Sequence, residues 1–282
     1  MNDSNPTVVA DPIALTGERM IPQHADAVSF WEHIYRYRFA CRFVRGKRVL
    51  DLACGEGYGA AALLQAGAAR VIGVDLSEAT CHHARRQYGV DARVGNAEQV
   101  PLPANSCEVL VSFETIEHLT RPDLFLAECR RLLLPGGLLI LSTPNQTVHR
   151  EAMIDNPFHE FELTEAELLA LLAEHSFRVR RFGQHPQRAG CWSGRSLIAT
   201  TSFWLRLKGI WRGVVWLRSM IWRVLCPQVC GEVEEALRHN PVAAILAREG
   251  WYSALVNPYT VRRHSRWSAE QPWYFIVVAE NQ

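Results

Sequence analysis

The sequence predicts an α/β fold, a doubly wound sheet of seven strands with a helical insertion before the last strand. Three observations carry that expectation. Val49–Leu52 and Val71–Val74 are short apolar runs bounded by turn residues, the pattern of strands buried on both faces. Between them lie a tight glycine turn at Gly55, Gly57 and Gly59 and a helix-forming stretch, Ala60–Ala66, which together make a strand-helix-strand unit. Finally, WYFIVVA at Trp273–Ala279 reads as a last strand, re-entering the sheet after about ninety residues of intervening chain.

The elements follow in order. Residues 1–29 read as an irregular lead-in, and Phe30–Val44 as an amphipathic helix of alternating aromatic and basic residues. Beyond the first strand-helix-strand unit come a helix at Glu78–Tyr88, a third strand at Ala92–Val94 and a fourth in SCEVLVSFETIEHL. The fifth strand, in RLLLPGGLLILSTPN, is preceded by a Pro-Gly-Gly turn at Pro135–Gly137. Thr164 with Glu167 three residues on is a capping box that opens a helix at Glu165–His175. Phe177–Phe182 reads as the sixth strand. The expected organisation is a lead-in and lid helix over 1–45, a catalytic core over 46–183, an insertion over 184–271 and the last core strand over 272–282.

The glycine spacing points to a ligand. A dinucleotide fingerprint is GxGxxG, with a helix N-terminus facing a pyrophosphate. Here it is GxGxG, and Asp51 and Glu56 add negative charge that would repel a pyrophosphate. The same charge suits the ammonium and sulfonium groups of S-adenosylmethionine. Asp75, at the tip of the second strand, is placed to accept hydrogen bonds from two ribose hydroxyls.

VLDLACGEGYG, VIGVD, GNAEQVPLP, the strand leading into FETIEHL, and RLLLPGGLLILSTPN together resemble the class I S-adenosylmethionine-dependent methyltransferases, over roughly Gly46 to Asn145. The resemblance implies a Rossmann-like sheet and a cofactor site drawn from Asp51, Ala53, Gly55, Gly57, Asp75, Leu76, Asn96, Ala97, Phe113, Glu114 and Arg19. Within that set, Glu114 would meet the methionyl amino group, Phe113 would pack near the adenosyl moiety, and Arg19 would pair with the carboxylate. Asn96 stands where the family usually has Asp, and its side-chain carbonyl can accept the same hydrogen bond from the adenine amino group. The N-terminal helix commonly lids the cofactor in this family. TGERMIP, EHIYRYRFA and NPFHEFELTEAEL are similar to segments of bacterial surface-glycan and sugar methyltransferases, which implies a sugar or glycan acceptor.

An alcohol acceptor needs a base for its proton. His118, directly after FETIE, is the first candidate, and a histidine here resembles the catalytic base of related sugar O-methyltransferases; a histidine packing the turn is the other reading. His159 and Glu160 form a second candidate pair, in a polar segment after the fifth strand, with Asn145 at that strand's tip. No His, Asp and Glu spacing reads as a metal site, and no metal is expected.

Composition bounds the rest. The chain has 282 residues, a formal net charge of +1 and 48% hydrophobic residues, enough apolar matter for a packed core and no basic field to recruit nucleic acid. Eight cysteines include no CxxC pair, which fits a reducing cytoplasm. The opening MNDSNPTVVADP has neither a basic start nor an apolar stretch, so no secretory signal is expected. From Arg195 to Leu225 no acid occurs, while Lys208, Arg212 and Arg223 share one helical face and Ile210, Val214, Leu217 and Ile221 the other. That pattern fits a helical cap over the active site or a peripheral helix at an anionic membrane surface, and it is too interrupted by charge to span a bilayer. Three functions stay open: methyl transfer to a sugar hydroxyl, methyl transfer to a quinone, polyketide or other small molecule, and a non-catalytic cofactor-binding partner of a glycosyltransferase.

Overall fold

The computed structural model describes residues 19–151, 156–186, 235–246, 259–264 and 271–282. Its centre is one sheet built from β1 (Arg48–Leu52), β2 (Arg70–Asp75), β3 (Asp91–Val94), β4 (Cys107–Phe113), β5 (Leu133–Pro144), β6 (Phe177–Pro186), β7 (Tyr259–His264) and β8 (Tyr274–Asn281). The strand order is β3-β2-β1-β4-β5-β8-β6-β7. β1 to β5 pair in parallel, whereas β8 runs antiparallel to both β5 and β6, and β7 antiparallel to β6. The order reverses at β1, which lies between β2 and β4. A crevice for ligand forms where the connections from neighbouring strands leave in opposite directions, at the carboxyl ends of β1 and β4.

The two-residue period of a strand sorts the apolar side chains into two cores. Val49, Val71, Val109 and Ile140 face one layer; Leu50, Leu110, Leu139 and Leu141 face the other. On the first face pack α1 (Ala27–Ala40), α2 (Tyr58–Gln65) and α3 (Glu78–Tyr88), through residues such as Phe30, Ile34, Leu63 and Ala84. Against the second face lie α4 (Pro122–Leu132), with Phe125, Leu126 and Cys129, and α6 (Glu165–Glu174), with Leu168 and Leu172. The short α5 (Gln146–Glu151) follows β5 at the carboxyl edge, and α7 (Pro241–Leu246) adds Val242 and Ile245 to the first core. Helices thus cover both faces, as a doubly wound sheet requires.

Several expectations are sharpened. The described sheet has eight strands, not seven, because YTVRRH adds β7 inside the stretch expected to be a helical insertion. The run Arg262-Arg263-His264 hid a strand that sits at the sheet's edge, where such residues are tolerated. Pro135–Gly137 lies within β5, not before it: Cys107 pairs with Leu133 and Val109 with Leu138, so the sheet absorbs the turn as a bulge with Gly136 at φ 75°. α1 starts earlier and stops at Ala40, short of Val44. The capping box is formed: Glu167 N donates to Thr164 Oγ1, and Thr164 N to the Glu167 carboxylate at 2.8 Å. Arg195–Leu225 lies outside the described residues. Among those described, no helix is long and apolar enough to cross a membrane.

Candidate active site

A cavity of about 1020 Å³ opens at the carboxyl ends of β1, β2 and β4, beneath α1. Its size exceeds what one drug-sized ligand needs, which leaves room for a nucleoside and a second molecule. One end is built by the loop after β1. Ala53 (φ 61°), Gly55 (φ 53°) and Gly57 (φ 88°) all take left-handed backbone, which turns the chain sharply from strand to helix. Asp75 holds that turn closed: its Oδ2 accepts from Gly55 N at 3.0 Å and its Oδ1 from Ser77 N at 3.0 Å. Each carboxylate oxygen keeps a further lone pair toward the cavity, the capacity that two ribose hydroxyls require.

The remaining expected contacts fall into two groups. Ala53, Gly55, Asp75, Leu76, Asn96, Ala97, Phe113, Glu114 and Arg19 line the cavity. Asn96 Oδ1 accepts from Glu98 N at 2.8 Å, which orients its carbonyl oxygen and leaves one lone pair. Phe113 packs edge-on against Tyr37, and Glu114 Oε1 accepts from Ser142 Oγ at 2.6 Å while lying 3.8 Å from Arg36 Nη1. Arg19 donates to Thr80 Oγ1 on α3. Three other residues do not reach the cavity. Asp51 is wholly buried under the loop, where both its oxygens accept from Tyr37 Oη at 3.2 Å. Gly57 faces α3, and a Cβ there would stand 2.6 Å from Ala84 Cβ, so it serves the close packing of loop on helix. Glu160 is exposed, because its backbone N is pinned to Glu117 O at 2.9 Å with its side chain turned to solvent. Asn145 is likewise spent on structure: it is buried and donates to Pro272 O and Gln271 Oε1.

Burial sets the charge of this end. Asp51 is pushed up to about 7, by burial first and by the neighbouring Asp75 charge, against the pull of Tyr37. Glu56 is also pushed up to about 7 by burial, with Arg19 acting in the opposite direction. The lining imidazole of His33 is pushed well down by burial and by Arg36.

The opposite end is polar and was only partly visible in the sequence. His118 closes a short 3-10 turn, Ile116–His118, and its Nδ1 lies 2.8 Å from Phe158 O. A carbonyl only accepts, so Nδ1 carries the proton and Nε2 is left with a lone pair. His159 stands with its ring 5.0 Å from that of His118. Its Nδ1 lies 2.9 Å from Glu162 Oε1, and Asn156 Nδ2 donates to its Nε2 at 2.9 Å. Glu162 Oε1 also pairs with His149 Nδ1 at 2.9 Å. Despite the opposing effect of partial burial, those two histidines pull the Glu162 carboxyl down to about 2. Glu117 is fully buried; its Oε2 accepts from Thr143 Oγ1, and burial with the nearby Glu114 pushes its carboxyl well up. Two buried atoms of this end, Glu117 Oε1 and His149 Nε2, have no hydrogen-bond partner among the described residues.

Sequence reasoning named His118 and His159 but missed Glu117, His149, Glu162 and Asn156. Glu117 sits beside His118 in the quoted ETIEHL stretch, the one signal that pointed to it. The sequence also gave no metal site, yet Glu117, His118 and His159 bring one ligand atom each to within 4.8 Å of one another. That grouping depends on a contact between residues forty-one positions apart, which spacing along the chain cannot reveal.

With this geometry in view, the comparisons with known proteins are specific. Residues 50–141 match the family described as "Methyltransferase domain". They form a class I S-adenosylmethionine-dependent methyltransferase domain. Its cofactor is S-adenosylmethionine, and the loop, the Asp75 carboxylate and the cavity volume fit that molecule. The methyltransferase domain has a relative in Mycolicibacterium smegmatis, named "Probable S-adenosylmethionine-dependent methyltransferase", 44% identical over 59% of this chain and 66% of that protein. A ubiquinone biosynthesis O-methyltransferase of Agrobacterium fabrum is 35% identical over 43% of this chain and 50% of its own length. The chain thus spans no more than 66% of these curated relatives. Among solved structures, a SAM-dependent methyltransferase of Thermotoga maritima superposes with a TM-score of 0.57 at 16% identity, covering 94% of this chain and 97% of that one, a likeness of fold.

Proposed function

We propose that the protein transfers a methyl group from S-adenosylmethionine to a hydroxyl of a sugar, presented as a nucleotide sugar, a glycan or a lipid-linked glycan. The observation that carries the reading is the acceptor end of the cavity. Glu117 Oε1 and His149 Nε2 are buried there without partners among the described residues, beside the Nε2 lone pair of His118. Unpaired buried polar atoms cost about 1–3 kcal/mol each, and hydroxyl groups, which both donate and accept, are suited to satisfy them. A sugar brings several at once.

When bound, the cofactor supplies a methyl group already activated on a positively charged sulfur. The chain's own tasks are to align the acceptor, exclude water and receive the hydroxyl's proton. His118 Nε2 receives it, with the imidazole oriented by its Nδ1–H donated to Phe158 O. Asp75 would hold the ribose, and Glu114, braced by Ser142 and Arg36, would face the methionyl end. A second reading, an aromatic hydroxyl as in a quinone precursor, draws on the similarity to the ubiquinone O-methyltransferase. Such an acceptor offers fewer hydroxyls to the two unpartnered atoms.

Transfer of a carbon-13 methyl group from labelled cofactor to a panel of nucleotide sugars, free glycans and hydroxylated quinone precursors, read by NMR, tests the assignment. The expected product is a sugar methyl ether. A methylated quinone precursor with no sugar product would transfer the assignment to the second reading. His118→Ala is expected to lower turnover about a hundredfold or more with cofactor affinity nearly intact, and equal turnover would remove His118 from the chemistry.

A further inference from the structure

We propose that Glu117, His118 and His159 bind one divalent first-row transition-metal ion at the acceptor end of the cavity. Their ligand atoms converge to within 4.8 Å of one another, and all three residues line the cavity wall. Two imidazoles and a carboxylate are a donor set suited to such ions, and three protein ligands leave coordination positions open to an oxygen from outside.

The outer contacts are those a metal site needs. A ligating histidine nearly always donates its other N–H to a carbonyl or carboxylate, which fixes the tautomer and aims the lone pair. Both histidines do so here: His118 Nδ1 lies 2.8 Å from Phe158 O, and His159 Nδ1 lies 2.9 Å from Glu162 Oε1. Their Nε2 atoms are thereby left as the ligating positions. Glu117 supplies the third donor. It is 0% exposed, Thr143 Oγ1 fixes its Oε2, and its Oε1 has no partner. Asn156 Nδ2 now donates to His159 Nε2 at 2.9 Å, so the amide has to swing aside for the ion. Glu114 and Glu162 lie beside the site and offset part of a dication's charge, against the buried guanidinium of Arg36.

The consequence for chemistry rests on the O-methyltransferase reading above. An ion in this position holds the acceptor oxygen as a Lewis acid and makes its hydroxyl more acidic. In the loaded protein the proton passes to water at the cavity mouth, and His118 serves as a ligand in place of proton acceptor.

The test is titration of cobalt(II) alone into the metal-stripped full chain, followed by its ligand-field absorption, with neither cofactor nor acceptor present. One equivalent is expected to saturate the wild type. Glu117→Gln, nearly isosteric, and His159→Ala, on a separate segment, are each expected to weaken binding at least about tenfold, and Glu162→Gln about tenfold or more through the outer contact. Thermal unfolding of each variant establishes that it is folded. Absence of stoichiometric cobalt binding by the wild type, or affinity unchanged in folded Glu117→Gln and His159→Ala, overturns the proposal. Failure of the two readings is separable: sugar methylation undiminished in excess chelator removes the metal and keeps the methyltransferase, whereas site-specific cobalt binding without transfer to any hydroxyl does the reverse.

Discussion

At the residue scale, two glycines of one loop do different work. Gly57 and Gly55 both have left-handed backbone, which costs an L side chain roughly 1–2 kcal/mol. A Cβ on Gly57 would also stand 2.6 Å from Ala84 Cβ, whereas one on Gly55 meets nothing within 4 Å. Overpacking adds about 1–3 kcal/mol, so Gly57→Ala should lower the unfolding free energy clearly more than Gly55→Ala, measured in urea. The order reverses for cofactor affinity, because only Gly55 lines the cavity. Equal effects of the two changes on both quantities would contradict this division. Asp51 gives a pH signature. Its carboxyl ionises at about 7 when folded and near 3.8 otherwise, so between those values the folded state holds the extra proton. Its contribution is present at low pH and lost as pH rises through about 7. His33, pushed down by burial, acts with the opposite sign below its ordinary value of 6.5, so the comparison must be differential. The melting temperature of Asp51→Asn minus that of the wild type should grow more positive from pH 4 to pH 8, and a flat difference would refute the shift.

At the scale of elements, α1 is tied to the antiparallel edge of the sheet by buried polar groups. Arg36 Nη1 donates to Gln184 Oε1 at 3.0 Å, Gln184 Nε2 donates to Glu32 O at 3.0 Å, and Tyr274 Oη donates to Glu32 Oε2 at 2.9 Å. The Arg36 guanidinium also lies over the Tyr274 ring at 4.5 Å. Gln184→Ala removes one acceptor from the buried Arg36 guanidinium, which keeps Glu114 and the Tyr274 ring, and one donor from Glu32 O, and should cost about 1–3 kcal/mol in chemical denaturation. No change would mean that α1 is held by its apolar face alone. None of this network was legible in the sequence. Its members lie up to 242 positions apart, and their roles exist only once β6 and β8 pair. What was legible is local: β1 and β2 from apolar runs, α6 from its capping box, and the cofactor loop from glycine spacing, since each follows from backbone sterics within a few residues. The same locality explains the misses. Asp51 carries a fitting charge close to the loop, but it belongs to β1 and is buried beneath the turn against Tyr37, not in the cavity. Glu160 loses to Glu162 because its backbone is tied to Glu117 O with its side chain in solvent, whereas the Glu162 carboxylate meets His149 and His159, contacts that the chain order does not reveal.

At the scale of the molecule, the sheet's reversal at β1 brings the glycine loop and the histidine-rich end to one cavity, and the sequence of the segment Arg195–Leu225 leaves two readings open. That segment lies outside the described residues, and its pattern makes two predictions. As a cap, it leaves the full chain indifferent to vesicles of anionic lipid, even at low salt. As an interfacial helix, it gives binding that weakens with salt and that Lys208→Ser, Arg212→Ser and Arg223→Ser together largely abolish, since each basic residue near such a surface contributes about 1 kcal/mol. Sedimentation with vesicles distinguishes them. Everything else rests on the cavity holding S-adenosylmethionine with its ribose on Asp75. Calorimetric titration of S-adenosylmethionine into the wild type and Asp75→Ala tests that most directly. Asp75 would offer charge-assisted bonds of about 1.5–3 kcal/mol and also fastens Gly55 and Ser77, so the account predicts one site whose affinity falls at least about tenfold in Asp75→Ala. Equal affinity in the two proteins, or no binding to the wild type, would contradict it.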